Sequence, residues 1–279
     1  MSRPFTVACV QNRATSSMRE SMAECESLCR EAAAKGAQLI CLPEYCSCLS
    51  LSADRRMELG AHEASSHPAL AAFSNLAQEL NAWMVIGSLA VKTVGGLVCN
   101  RSYVLDARGS VVAEYDKIHL FDVDLANGES YRESDSIVPG DRAVIVSTPW
   151  GALGLSVCYD LRFPQLYRAL AQAGAEFITV PAAFTRTTGE VHWHVLNRSR
   201  AIETGCFVLA PCQYGTHGIA ETYGHSLIID PWGAVLADGG EDAGVILAEV
   251  DPAAVAKARA MIPSLEHDRT INVNGVRLH

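Results

Sequence analysis

Gly154-Leu-Ser-Val-Cys-Tyr-Asp-Leu-Arg-Phe-Pro164 is the stretch from which this chain is best read. The apolar run Ala152–Val157 predicts a buried strand, and Pro164 then opens a helix-like segment, FPQLYRALAQAG. Leucines at 166 and 170 and Gly174 at the stop position support that helix. Cys158 therefore falls at a strand-to-helix corner, where a sharp bend displays the sulfur beside backbone N–H groups. Such a place suits a nucleophile that needs a ready-made oxyanion site. Cys158 is also one of ten cysteines, and most free cysteines are small core residues. This segment alone leaves both readings open.

Two other segments bear on the choice. Glu44 ends the apolar strand QLICLPE and so projects from a strand's carboxyl end, where sites collect in open α/β sheets. Lys117, in Tyr115-Asp-Lys-Ile-His-Leu120, follows the apolar segment VVAEY. Either alone reads as a solvated strand end. Together, in the order Glu44, Lys117, Cys158, they resemble the catalytic triad of the nitrilase or carbon–nitrogen hydrolase superfamily. The wording agrees as well as the order: LPE, DKIHLFD and GLSVCYDLRFP. The resemblance runs from TVACVQ through HSLIIDPWG to the region of Arg269. The family also carries a second glutamate between the lysine and the cysteine. Glu133 fits best, because Pro139-Gly140 matches the family's downstream PG; Glu129 is the competitor.

The resemblance implies an amidase that works through a cysteine thioester. Amide carbon is a poor electrophile, and a thiolate is a stronger nucleophile than a hydroxyl. Glu44 is then the general base, its pKa raised by burial so that it can return a proton to departing ammonia. Lys117 and the backbone N–H of Tyr159 face the oxyanion, each donor contributing about 3–4 kcal/mol in the transition state. Glu133 holds the substrate amide or the hydrolytic water and keeps Lys117 oriented. No metal or organic cofactor is expected.

Within the superfamily, CYDLRFP, the TGxxHW of Thr188-Gly189 to His192-Trp193, and YGHSxxxDPWG resemble the branch acting on ω-amides of keto acids. Its two activities are deaminated glutathione amidase, which fits best, and omega-amidase on 2-oxoglutaramate or 2-oxosuccinamate. An N-carbamoyl amino acid amidohydrolase is a further alternative. A true nitrilase is disfavoured, since C-W-E is its usual context and this chain has Cys158-Tyr159-Asp160. A carboxylate-bearing substrate needs a basic clamp, with Arg162, Arg186 and Arg198 as candidates. Phe184 and Thr185 are further candidates for substrate binding. His192 and Trp193 either line the pocket or only pack. A catalytically silent binding module is the alternative from another class.

Composition fits a single enzyme domain over residues 1–279, with a tail over about 262–279. Hydrophobic residues make up 49% and charged residues 19%. A formal charge of −9 disfavours nucleic acid and anionic membranes as partners. Ten irregularly spaced cysteines predict reduced thiols in a cytoplasmic protein rather than a disulfide framework. MSRPFTVACVQ shows no signal peptide, and no apolar run is long enough for a membrane span. Cys41, Cys46 and Cys48 lack C-x-x-C spacing and a second ligand pair, so zinc is not expected.

The chain alternates strands and helices. Helices are predicted over about 17–35, 68–80, 164–173, 191–202 and 252–260, with 121–142 as a polar loop. Gly36-Ala-Gln-Leu-Ile-Cys-Leu-Pro43 echoes Gly174-Ala-Glu-Phe-Ile-Thr-Val-Pro181. Either two αβ units are similar by chance, or the chain has two pseudo-symmetric halves stacked sheet to sheet. The resemblance implies the latter: an α/β fold, the nitrilase-like α-β-β-α four-layer sandwich, extended by pairing into a homodimer or higher homo-oligomer.

Overall fold

The computed structural model describes residues 3–52, 57–125 and 128–270. The first half runs Phe5–Gln11 (β1), Met18–Ala34 (α1), Leu39–Cys41 (β2), Pro68–Leu80 (α2), Trp83–Lys92 (β3), Val98–Leu105 (β4) and Val111–Asp116 (β5). β1, β2 and β3 are parallel, and β4 and β5 fold back antiparallel. Ile137–Val138 (β6) adds to the far side of β4.

The second half repeats the plan. It comprises Ile145–Thr148 (β7), Gly151–Leu155 (β8), Pro164–Gln172 (α3), Phe177–Thr179 (β9), Arg186–Thr204 (α4) and Phe207–Ala210 (β10). A hairpin, Tyr214–His217 (β11) and Ala220–Tyr223 (β12), precedes Leu227–Ile229 (β13) and Val235–Asp238 (β14). Again three parallel strands, β8, β9 and β10, are followed by two antiparallel ones, β13 and β14. Gly244–Val250 (β15) then crosses to pair with β1, and Ala253–Met261 (α5) follows.

Side-chain alternation builds the layers. Val7 and Cys9 of β1, Leu39 and Cys41 of β2 and Val85 of β3 join the core shared with the second sheet. Their neighbours Ala8, Val10, Ile40, Met84 and Ile86 pack instead with Cys25, Leu28, Phe73 and Leu76 of α1 and α2. Both strand faces are buried, as expected of parallel strands with a covered back. Leu166, Leu170, Trp193 and Ala201 of α3 and α4 cover the second sheet.

The internal echo is structural. Gly36 (φ +90°) and Gly174 (φ +101°) both sit just past a helix end in the left-handed region. Ala37 N bonds Ala32 O and Ala175 N bonds Leu170 O, the six-to-one bond of a glycine-stopped helix in each case.

Two segments depart from expectation. α4 begins at Arg186, not near 191, because Gly189 does not break it. A Cβ there would lie 2.4 Å from Tyr223 Cβ, so this glycine serves close packing. The polar loop 121–142 contains an antiparallel pair, Asp122–Asp124 with Ser130–Arg132, a 3-10 turn Glu133–Asp135, and β6. The β11–β12 hairpin turns at Gly218 (φ +68°). Residues 271–279 of the expected tail lie outside the described residues. Among the described residues no helix is long and apolar enough to cross a membrane.

Candidate active site

The site forms where corners of the two halves meet. Glu44 follows β2, and Lys117 follows β5. Glu133 opens the 3-10 turn at 133–135, and Cys158 opens another, Cys158–Arg162, after β8. The seam is tight: a Cβ on Gly87 would sit 2.0 Å from Leu42 O, 2.4 Å from Pro43 O and 2.5 Å from Pro181 Cβ. Two non-glycine residues at these corners take left-handed backbone, Tyr45 (φ +50°) and Cys158 (φ +49°). This conformation is costly for residues with a Cβ and collects at functional sites.

Lys117 Nζ lies 2.9 Å from Glu44 Oε1 and 2.8 Å from Glu133 Oε2. Asn100 Nδ2 also donates to both carboxylates, at 2.9 and 3.1 Å. Ala183 N–H donates to Glu44 Oε2 at 2.9 Å, and Phe121 N–H to Glu133 Oε2 at 2.7 Å. Tyr45 OH donates to Glu133 Oε1 at 3.2 Å, its phenol held protonated by burial and by the two glutamates. Glu44, Lys117, Glu133 and Cys158 are all buried. Burial alone would strip the proton from Lys117, but Glu133 and Glu44 outweigh it and hold the ammonium well above its ordinary pKa. The Cys158 thiol is pushed up, first by burial and then by Glu44, with Lys117 opposing.

Asp160 ties the Cys158 and Lys117 segments together. It accepts from Val157 N–H (2.8 Å) on the cysteine side, and from Tyr115 OH (2.7 Å) and His119 N–H (3.1 Å) on the lysine side. Gln213 Nε2 donates to Glu44 O at 2.7 Å and pins the glutamate corner.

A cavity of about 610 Å³ is lined by Glu44, Lys117, Glu133 and Cys158. Tyr45, Phe121, Tyr131, Tyr159 and Phe184 give it aromatic walls, and Leu49, Leu51, Thr185, Thr188 and His217 extend it. Burial lowers His217 to about 4, so at neutral pH it is an uncharged wall.

The cavity thus gathers a buried thiol, two carboxylates and an ammonium, and the chain matches known proteins. Residues 6–260 match the carbon–nitrogen hydrolase family. The chain belongs to this family. A deaminated glutathione amidase of Synechocystis sp. is 38% identical over 270 residues, covering 95% of this chain and 98% of that protein. Among solved structures, NitFhit of C. elegans superposes with a TM-score of 0.87 at 32% identity, over 96% of this chain and 66% of that one. Saccharomyces cerevisiae Nit3, a nitrilase superfamily member, gives 0.82 at 26% identity, over 94% and 95%. This carbon–nitrogen hydrolase thus has the nitrilase-type α/β sandwich and is a hydrolase of non-peptide carbon–nitrogen bonds.

The structure brings Glu44, Lys117, Glu133 and Cys158 of the hydrolase together, and Tyr159, Phe184 and Thr185 line the same cavity. Five other candidates are not among its lining residues. Trp193 is buried, donates from Nε1 to His225 O at 2.7 Å and packs on Phe184. His192 lies 3.3 Å from Arg162 Nη1. Arg186 is engaged by Glu190, Glu221 and Glu241, and Arg198 bonds Gly233 O. Arg162 stands behind the wall, 5.4 Å from the Phe184 ring centre and 5.9 Å from that of Tyr159. Glu129 bonds Thr187 and Tyr131.

Sequence reasoning missed Asn100, Asp160 and Gln213 in supporting roles. A buried Asn in the strand VCNRSYVL was the one available signal, and only the register of β4 gives it meaning. Among the described residues one group of potential metal ligands converges, His194, His225 and Asp238. Both imidazoles there already bond the carboxylate, at 3.0 and 2.8 Å.

Proposed function

We propose that this carbon–nitrogen hydrolase cleaves deaminated glutathione through a Cys158 thioester. The observation that carries the chemistry is a buried thiol beside the Glu44–Lys117–Glu133 cluster in one cavity. Because the thiol stays protonated at rest, Glu44 takes its proton as sulfur adds to the amide carbon. Lys117 and the Tyr159 N–H, which has no acceptor within its own short helix, stabilise the oxyanion. Collapse expels the amine, which takes the proton from Glu44. Water deprotonated by Glu44 then hydrolyses the thioester and returns the thiol. Glu133 fixes Lys117 and the incoming water.

The substrate reading rests on relatives bearing that name and on size. Ligand pockets for drug-sized molecules run roughly 300–1,000 Å³, and about 610 Å³ accommodates a tripeptide analogue. The five-carbon 2-oxoglutaramate would leave much of that space to water. Deaminated glutathione has no primary amide, which corrects one expectation. Its leaving group is the amine of cysteinylglycine, not ammonia. Of the expected basic clamps, Arg162 has no carboxylate partner among the described residues, and it could meet a substrate carboxylate only by moving past the Tyr159 and Phe184 rings it stands against.

The test offers the purified protein deaminated glutathione, 2-oxoglutaramate and N-carbamoyl amino acids, with 2-oxoglutarate, cysteinylglycine and ammonia measured. Fastest release of cysteinylglycine is expected. Preference for 2-oxoglutaramate would make it an omega-amidase. Inactivity on all, with Cys158 labelling no faster than the nine other thiols, would favour a silent binding module.

The same reading extends to assembly and compartment. Val191, Val195 and Ile202 on one side of α4, with Trp232 and Ile262, are each more than half exposed. We read this apolar face as the contact of a homodimer, and sedimentation of Val195→Asp as monomer would support it. Ten free thiols fit a reducing, cytoplasmic setting. We treat residues 1–279 as one catalytic domain, because its site needs corners from both sheets.

A further inference from the structure

Asn100 is fully buried on β4, and its side-chain amide is spent on the two catalytic carboxylates. Nδ2 donates to Glu44 Oε1 at 2.9 Å and to Glu133 Oε1 at 3.1 Å. Both neighbours are acceptors, which fixes the NH₂ end toward them. Its backbone carbonyl accepts from Lys117 N–H at 2.9 Å. Asn100 thus touches both carboxylates through its side chain and the lysine's backbone through its own carbonyl. With Lys117 it closes a ring of two donors and two carboxylates, each donor bonded to both acids. Its own Oδ1 is buried without a partner. An unsatisfied buried acceptor opposes folding, so a residue chosen for stability alone would not be an asparagine here.

The site also carries an electrostatic imbalance. Two carboxylates and one ammonium leave a buried net negative charge, facing the Cys158 thiol and the Tyr45 phenol as well. Ala183 N–H, Phe121 N–H and Tyr45 OH each donate to one carboxylate, whereas Asn100 and Lys117 donate to both, so loss of Asn100 removes a donor that the pair shares and favours relief of the repulsion by a proton. We propose that Asn100 is a positioning residue that holds Glu44 and Glu133 apart and ionised, so that Glu44 is free to take the Cys158 proton. This rests on the reading of Glu44 as base. When Glu44 becomes a carboxylic acid, the Asn100 bond weakens, and that favours return of the proton to the leaving amine.

A donor to an ionised carboxylate lowers its proton affinity, so removing the donor raises it. The base is then lost at higher pH as the solution is acidified. In Asn100→Leu the acid limb of kcat/KM should move up by about one pH unit, and in Asn100→Ser, which keeps one hydroxyl donor, by less. The Ser variant carries the test if the Leu variant fails to fold, with thermal melting as the check. A uniform fall in rate with the acid limb unmoved would overturn the proposal, leaving Asn100 a shape-holding residue. So would unchanged kinetics in both variants. Glu44→Gln measured alongside keeps the two readings apart: if it remained active, the base assignment itself would fall, whatever Asn100 does.

Discussion

The two halves end their central strands alike and use those ends differently. After β2 the chain reads Leu42-Pro43-Glu44-Tyr45, and after β9 it reads Val180-Pro181-Ala182-Ala183. Leu42 N bonds Val85 O and Val180 N bonds Leu209 O, both at 2.8 Å. From matching backbone, the first corner supplies a carboxylate and the second a backbone N–H that receives it at 2.9 Å. The rest of the cluster shows the same division. Cys158 follows β8 of the second half, while Glu44, Lys117 and Glu133 all come before it. A repeated scaffold brings two equivalent corners face to face, and the chemistry arises because their side chains differ.

If neither half holds a working site, removing a key group from either should be equally severe and not additive. Cys158→Ala and Glu44→Gln are each expected to lower kcat by about 10⁴-fold or more, and the double variant no further, because groups acting as a unit do not add. Single-turnover rates on the preferred substrate measure this. A double variant that multiplied the two losses would mean the halves act independently. Next in size is Glu133→Gln, expected to cost about 10²–10³-fold, with Glu129→Gln close to wild type. The reverse ranking would move the second glutamate to position 129.

Gly87 is where the two corners touch, so it probes the seam directly. Gly87→Ala should destabilise by about 1–3 kcal/mol through overpacking and lower kcat as well, since the clash falls on the carbonyls of Leu42 and Pro43 just before Glu44. Thermal melting and kcat, measured together, decide it. A lowered melting temperature with unchanged kcat would show that the seam sets stability without setting Glu44.

What could be read from the sequence follows the range of the interactions. Glu44, Lys117 and Cys158 each follow an apolar run, and the runs become strands β2, β5 and β8 because their periodicity is local. The glycine stops at 36 and 174 are equally local, which is why the internal echo is legible in the amino-acid order alone. The supporting residues are different. Asn100 lies 33 positions from Glu133 and 56 from Glu44. Gln213 reaches the Glu44 corner across 169. The Asn within the apolar VCNRSYVL is the one trace, and neither it nor the Gln of PCQYG names its partners, since those depend on strand order. The early start of α4 is not legible because glycine is a weak helix former, and only the structure shows Gly189 serving as a packing surface against Tyr223.

The smallest effect separates the proton from the charge at Cys158. Burial is the first cause that raises this thiol's pKa, Glu44 the next, and Lys117 pulls the other way. A raised thiol pKa leaves little thiolate near neutrality, so labelling by iodoacetamide in the wild type depends on Glu44 accepting the proton. Between about pH 7 and 9 that route is expected to be nearly flat, because a fixed carboxylate rather than hydroxide accepts the proton. In Glu44→Gln the base is gone and its negative charge with it. Loss of the charge lowers the thiol pKa somewhat, but burial persists, so labelling should now climb with pH as thiolate forms, up to about tenfold per unit. The rate profile, with Cys158 resolved from the other thiols by peptide mass, gives the comparison. Flat labelling in both proteins would mean that Lys117 already holds a thiolate at neutral pH, and Cys158 would then attack without needing the first half's carboxylate to deprotonate it.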